Sequence, residues 1–273
     1  MPYSIALDIG ATKILAGLLK NNKVIKTVKK TTLSDKPKKT ILNNIENIIR
    51  ELWQSDITEI GIGFAGQIDS TRGVVVSTGN FHSSFSNIPL KKILEKKFKV
   101  KVYIDNDVKC FAKAENKYGW GKQYKNFISL TIGTGIGGAI VVDNKIITGK
   151  NNLAGEVGHI KINGIWIDTK NKEFVWEKIA SGRAWEKINE KYGKNKADKI
   201  IISNISQGLS ILATILNPDV FILGGGFIEH PGIISKIKKE YSSEVFHPLL
   251  KKTLILPSKI GNHTILLGSL IKK

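Results

Sequence analysis

The chain has 273 residues, 41% of them hydrophobic, which allows a sizeable core in one large or two modest domains. No run approaches the roughly 20 apolar residues of a membrane span, the N-terminal residues lack a secretory leader's pattern, and the lone Cys110 has no partner for an internal disulfide, so a cytoplasmic protein without a membrane partner is expected. The net charge of +19 hints at an anionic partner, but the only arginines are Arg50, Arg72 and Arg183 and the lysines are dispersed, so no specific nucleic-acid role is expected.

Residues 4–7 predict a strand, Asp8-Ile9-Gly10-Ala11-Thr12-Lys13 a turn, and residues 14–19 a second strand. Asn21-Asn22 turns into a third strand over 24–28, completing an antiparallel meander. Apolar residues at Ile41, Leu42, Ile45, Ile48, Ile49 and Leu52 predict a helix over 40–53. A glycine-interrupted strand over 60–64, a basic amphipathic helix over 90–98, a strand over 100–104 and a helical run over 110–115 follow. The plan then recurs: strand 127–132, Gly-rich turn 133–138, strand 139–142, a turn at Asp143-Asn144, strand 145–147. Two imperfect copies of one plan predict a duplicated α/β architecture with a cleft between its halves. A long apolar helix over 200–216 closes at Asn217-Pro218, a strand over 220–223 runs into Gly224-Gly225-Gly226, and 263–271 forms a last helix.

Several residues carry chemistry. Gly10 permits a tight turn with amides open to an anion, beside the hydroxyl of Thr12, the charge of Lys13 and a possible Mg²⁺ carboxylate, Asp8; an ordinary hairpin would look the same. Gly133-Thr134-Gly135-Ile136-Gly137-Gly138 fits G-x-G-x-x-G, but β-branched residues follow where a dinucleotide fold needs a helix, so a Gly-rich hairpin facing phosphate is expected instead. No G-x-x-x-x-G-K-[ST] occurs, which excludes a P-loop. Asp107, after Asn106 at a strand's C-terminal end, suits a general base and equally a helix N-cap. Glu156 and His159, three apart between glycines, can aim at one polar ligand or form a surface turn. Glu177, before Ala180-Ser181-Gly182, by itself reads as a solvated helix face. His82, His230, His247 and His263 lack metal-ligand spacing.

In this order the motifs resemble the ROK family (repressor, open reading frame, kinase) over nearly the whole chain. Asp8 through Lys13 is similar to its first phosphate motif. Gly61-Ile62-Gly63-Phe64-Ala65-Gly66-Gln67-Ile68-Asp69 resembles its G-I-G-x-P-G-x-V-D segment, with Ala65 in place of Pro. Gly79-Asn80 and Asn87-Ile88-Pro89-Leu90 resemble its P-N…N-x-P-L segment, Ile104-Asp105-Asn106-Asp107 its catalytic segment, and Gly133 through Gly138 its second phosphate hairpin. Glu156 and His159 fall on its E-x-G-H, Glu177 on a further sugar-binding Glu, and Leu216 through Gly226 on its adenosine segment.

The resemblance implies a two-domain actin/hexokinase-type (ribonuclease H-like) α/β fold. A small domain would span 1–105, completed by 262–273, and a large one 106–261. It implies an ATP- and Mg²⁺-dependent hexose kinase. Asp107 would be the base; Gly66, Asn80, Asn106, Glu156, His159 and Glu177 would bind sugar. Asp8, Gly10, Thr12, Lys13, Gly133, Thr134, Gly135, Gly224 and Gly225 would hold ATP, with Mg²⁺ near Asp8. N-acetylhexosamine kinase, fructokinase and a catalytically silent sugar-binding regulator are the alternatives, with polyphosphate a minor option as donor. A homodimer is implied. Many members carry a cysteine-rich zinc cluster between the His and the later Glu; residues 161–176 contain no Cys, so no structural zinc is expected. The repressors' N-terminal helix-turn-helix is not expected, because the first strand begins at about residue 3.

Overall fold

A computed structural model describes residues 2–163, 165 and 174–272. The chain divides into two compact units: Met1–Lys117 with Lys150–Asn152 and Asn262–Lys273, and Tyr118–Gly149 with Leu153–Gly261.

The first unit opens with β1 (Tyr3–Ile9), β2 (Lys13–Lys20) and β3 (Lys23–Thr31), paired antiparallel. Asn21 and Asn22, with φ of 53° and 58°, make a two-residue turn of the kind that matches strand twist. Helix α1 (Lys38–Glu51) buries Ile41, Ile45, Ile48 and Ile49, a stripe at helical spacing. Strand β4 (Ile57–Phe64) joins β1 in parallel; β5 (Gln67–Asp69) and β6 (Val74–Ser77) form a small hairpin. Helix α2 (Leu90–Phe98) ends at Lys99 in the left-handed conformation, and β7 (Lys101–Asn106) runs parallel to β4 before helix α3 (Asp107–Tyr118). The sheet order is β3-β2-β1-β4-β7.

The second unit repeats this. Strands β8 (Phe127–Ile132), β9 (Ile136–Val142) and β10 (Lys145–Ile146) are antiparallel. Asp143 and Asn144, with φ of 48° and 62°, occupy the same place as Asn21 and Asn22. Helices α4 (Trp176–Ala180), α5 (Gly182–Tyr192) and α6 (Lys194–Leu216) lead to β11 (Val220–Gly224), followed by α7 (Ile233–Glu244) and β12 (Leu254–Pro257). The order β10-β9-β8-β11-β12 matches the first sheet position for position. Helix α6 is the one described helix long and apolar enough to cross a membrane. It is a core helix: Ile201, Ile205 and Leu209 lie in the unit's main apolar cluster.

The last helix, α8 (Thr264–Ser269), packs on β1, β4 and β7 of the first unit. Gly61 and Gly63 make room for it, since a side chain at either would strike Ser269 or Ile265. The boundary falls after Lys117, whereas the resemblance placed it after residue 105. The whole of α3 but its last residue therefore belongs to the first unit, continuous with the strand that precedes it. Each unit has its own apolar cluster, one built on Ile5, Leu7, Ile60 and Ile62, the other on Leu130, Phe221 and Leu223.

Candidate active site

In the first unit the candidate residues collect at the C-terminal ends of β1, β4 and β7. Parallel register sets Asp8 beside Gly63, and Gly63 beside Asp105. The turn after β1 is closed by the Gly10 N–H donating to the Lys13 carbonyl at 3.0 Å. The buried Thr32 hydroxyl donates to the Gly10 carbonyl at 2.6 Å, and the Thr32 N–H donates to the Thr12 carbonyl at 3.1 Å. Thr32 thus pins the turn from below, leaving the Thr12 and Lys13 side chains exposed. Asp8 is half-buried, and its protein surroundings push its carboxyl up to about 7. Burial is the largest cause, the negative charge of Asp107 adds to it, and Lys13 opposes it.

The Asp105-Asn106-Asp107 run gives each side chain a different task. Asp105 is buried and ion-paired with Lys113 at 2.8 Å, so its carboxylate is committed. Asn106 is the cap of α3: its Oδ1 accepts from the N–H groups of Val108 at 3.0 Å and Lys109 at 3.1 Å. Asp107 is the first helical residue, and its Oδ1 accepts from the Val108 N–H at 2.9 Å. The N-cap role open to Asp107 therefore falls to its neighbour. Asn106 Nδ2 also donates to the Gly66 carbonyl at 3.2 Å. Gly66 has a φ of 150°, and a Cβ there would lie 2.7 Å from the Ser77 carbonyl oxygen, so glycine is required. Asn80 is exposed just beyond this contact.

In the second unit, the hairpin between β8 and β9 is closed by the Gly133 N–H donating to the Gly135 carbonyl at 3.0 Å. Thr134 is exposed at its tip. Gly225, with φ of 93°, lies so close to Ile132 that a Cβ would be 2.5 Å from its carbonyl oxygen. The Gly224-Gly225 segment is thereby pressed onto the base of the hairpin, next to the Thr131–Gly224 register pair. The Gly182 N–H donates to the Gly133 carbonyl at 2.7 Å, and the Ser181 hydroxyl caps α5 through Ala184. Glu177 reaches the same hairpin: a Cβ on Gly135 would lie 2.7 Å from its Oε2.

Glu156 and His159 are exposed while Val157 and Gly158 between them are buried. Gly158 leaves no room for a side chain against the Ile136 carbonyl, and Gly155 packs on Gly138. The segment is thus seated on β9 with its two polar side chains outward. Beyond it, Lys161 and Val175 form an antiparallel bridge. Among the described residues no group of three His, Cys, Asp or Glu forms a metal site; residues 164 and 166–173, within the span expected to lack zinc, lie outside the described residues.

Sequence reading missed Thr32, whose only signal was a Thr following a strand, and the bond joining Gly182 to Gly133, which no local pattern marks. The carboxylate of Asp8, whose proton affinity is raised mainly by burial and further by the charge of Asp107, is a hard oxygen ligand of the kind a divalent cation takes, so Asp8 fits Mg²⁺.

The chain matches the family model "ROK family" over residues 4–272. It is 27% identical to a glucokinase from Thermotoga maritima, covering 98% of this chain and 93% of that protein. It is 30% identical to a xylose repressor from Bacillus spizizenii, covering 97% of this chain and 75% of that one. Among solved structures, a ROK family glucokinase from Streptomyces griseus, in complex with glucose and AMPPNP, superposes with a TM-score of 0.86 at 24% identity, covering 98% of this chain and 97% of that one.

Proposed function

The chain belongs to the ROK family, and from that premise we propose that it is an ATP-dependent sugar kinase that transfers the γ-phosphoryl group to a hexose hydroxyl. One observation carries the reading: Asp107 stands at the first position of α3, held there by the Asn106 cap, and close enough to Asp8 of the first phosphate turn for its charge to be felt there. A carboxylate able to take a proton and a turn able to take phosphate thus share one end of one sheet.

Asp107 accepts the proton of the attacking sugar hydroxyl, O6 in a glucose-like substrate. Gly10 to Lys13 and Gly133 to Gly135 hold phosphates through backbone amides, the Lys13 ammonium and the Thr12 and Thr134 hydroxyls. Gly224 and Gly225 lie against the nucleoside. Asn80, Glu156, His159 and Glu177 recognise sugar hydroxyls, with Gly66 shaping the backbone beside them. Asn106 has one Nδ2 hydrogen left for sugar after its contacts with Gly66, Val108 and Lys109. Bound Mg²⁺ supplies neutralisation of phosphate charge, and Asp8 is the residue that would hold it, directly or through water. The working form in this reading is a cytoplasmic homodimer.

Likeness to a xylose repressor supports a second reading, a sugar-binding regulator without turnover. One experiment separates the two: coupled ADP release with Mg·ATP over a panel of hexoses and N-acetylhexosamines. The kinase reading expects ADP only when a sugar is present. Binding of a sugar without turnover would favour the regulator, and sugar-independent hydrolysis would refute the kinase.

A further inference from the structure

Asn204 lies in α6 with no exposed surface, yet each of its side-chain hydrogen-bonding groups is engaged. Its Oδ1 accepts from the Ile165 N–H at 2.7 Å. Its Nδ2 donates to the Ile165 carbonyl at 3.0 Å and to the Ile179 carbonyl at 2.7 Å. Taking both backbone groups of one residue is what an adjacent strand does; here a side-chain amide does it. The orientation is unique, because a reversed amide would set NH₂ against an N–H and oxygen against two carbonyls.

The bonded segments flank two of this unit's three candidate sugar ligands, His159 and Glu177, the third being Glu156. Ile179 is in α4, two residues after Glu177. Ile165 follows His159 across the bridge at Lys161, where the Trp176 N–H donates to the Ile160 carbonyl at 2.9 Å and the Ile162 N–H to the Phe174 carbonyl at 2.9 Å. Trp176, also fully buried, donates its Nε1–H to the Asn204 carbonyl at 2.9 Å, and its ring lies so close to Gly208 that no side chain fits there. The helix α4 has five residues and no side-chain cap, so its direction depends on such outside contacts. The phosphate hairpin has supports of its own in Gly182 and Gly225 and makes none of the Asn204 bonds.

We infer that Asn204 is a positioning residue for sugar recognition, fixing Glu177 and His159 in mutual register from beneath. The inference rests on the sugar-kinase reading. An apolar side chain of this size would leave the buried Ile179 carbonyl and both backbone groups of the partly exposed Ile165 without the Asn204 amide, so the requirement is for an amide and not for volume.

The test is Asn204→Ser in steady-state kinetics, with whichever sugar the wild-type protein phosphorylates. The sugar KM should rise by roughly tenfold or more, the shift expected when an interaction of this class is lost. The ATP KM and kcat should change by less than about threefold. In a Glu177→Gln background the same change should raise the sugar KM by a smaller factor than in the wild-type protein, since the share of the effect that runs through Glu177 is already lost. A residue that only supports packing would lower the active fraction and leave both KM values unmoved; that result, or full additivity with Glu177→Gln, overturns the inference.

Failure of the kinase reading would show separately, as no sugar-dependent ADP from the wild-type protein. The positioning claim is then read by amide hydrogen exchange: Ile165 should be as protected as the amides of β11, and lose that protection in Asn204→Ser while β11 keeps it. Should Asn204→Ser not fold, the wild-type protein alone suffices. Exchange of the Ile165 amide at a free-loop rate overturns the inference, and slow exchange that saturating sugar slows further supports it.

Discussion

Asn106 Nδ2 donates to the Gly66 carbonyl at 3.2 Å while the same side chain's Oδ1 caps α3. One residue thus ties the loop after β4 to the start of the helix that carries Asp107. The two tasks separate by substitution. Asn106→Ala should lose both, lowering stability by about 0.5–2 kcal/mol through the lost cap and weakening sugar binding through the freed Gly66 loop. Asn106→Ser keeps an N-cap oxygen, so its denaturation midpoint should return most of the way to wild-type while sugar affinity stays reduced. Equal stability losses in both variants would show that the cap is not what Asn106 contributes.

Gly135→Ala should act on sugar rather than on the nucleotide alone. The new methyl would lie 2.7 Å from Glu177 Oε2, and a carboxylate at the end of a flexible side chain is what yields. The backbone of Gly135 has no positive φ, so the hairpin itself tolerates alanine. Sugar KM should rise by about three- to tenfold, on the order of 1 kcal/mol. Titration with sugar in the absence of ATP checks it; an unchanged sugar affinity would mean that Glu177 is not a sugar ligand in the position it occupies.

Asp198 offers a pH test away from the site. Burial alone would raise its pKa, but hydrogen bonds from Lys194 at 2.7 Å, Trp185 at 2.8 Å and Lys236 at 3.2 Å outweigh burial and hold it down at about 2. A folded pKa below the unfolded 3.8 stabilises above the unfolded value and loses that contribution as pH falls through the folded one. Both lysines are more than half exposed, which weakens their share, so Asp198→Asn should cost about 1–2 kcal/mol near neutral pH. The gap between the two proteins should close from about pH 4 down to pH 2, as followed by thermal unfolding. Parallel pH profiles would contradict the assignment.

The duplication was legible in sequence because its signals are local. Asn21-Asn22 and Asp143-Asn144 are the residues that tolerate positive φ in a two-residue hairpin, and each follows an apolar run and a Gly-bearing turn. The helix Leu90–Phe98 and the strand Phe127–Ile132 lie where periodicity put them. Helices α5 and α7 carry short stripes broken by charged residues, such as Ile233, Ile237 and Tyr241 in α7, and the three-residue strand β5 was too short to alternate visibly. At the site, residue types were legible and their division of labour was not. Asn and Asp are nearly equal as caps, so whether Asn106 or Asp107 caps α3 depends on a helix start that shifts by one residue. Asn204 was invisible for a different reason: its partners lie 39 and 25 positions away, and a polar residue within an apolar helix carries no mark of what it will meet.

Asp107→Asn addresses the chemistry most directly. The substitution keeps the size and retains an Oδ1 able to accept the Val108 N–H now bonded at 2.9 Å. Helix α3 keeps its cap, because Asn106 and not Asp107 supplies it. Melting temperature should therefore stay close to wild-type or rise, since removing the Asp107 charge also relieves Asp8, whose carboxyl that charge helps to raise. What disappears is basicity. If Asp107 takes the proton from the attacking hydroxyl, turnover should fall by roughly 10²–10⁴-fold, the usual worth of a general base. Sugar affinity measured directly should change far less, because the lost interaction belongs mainly to the transition state. Glu156→Gln serves as the contrast, with its effect expected in sugar binding rather than in turnover. A folded Asp107→Asn protein with near-normal kcat would move the base to another residue and remove the observation on which the kinase reading rests.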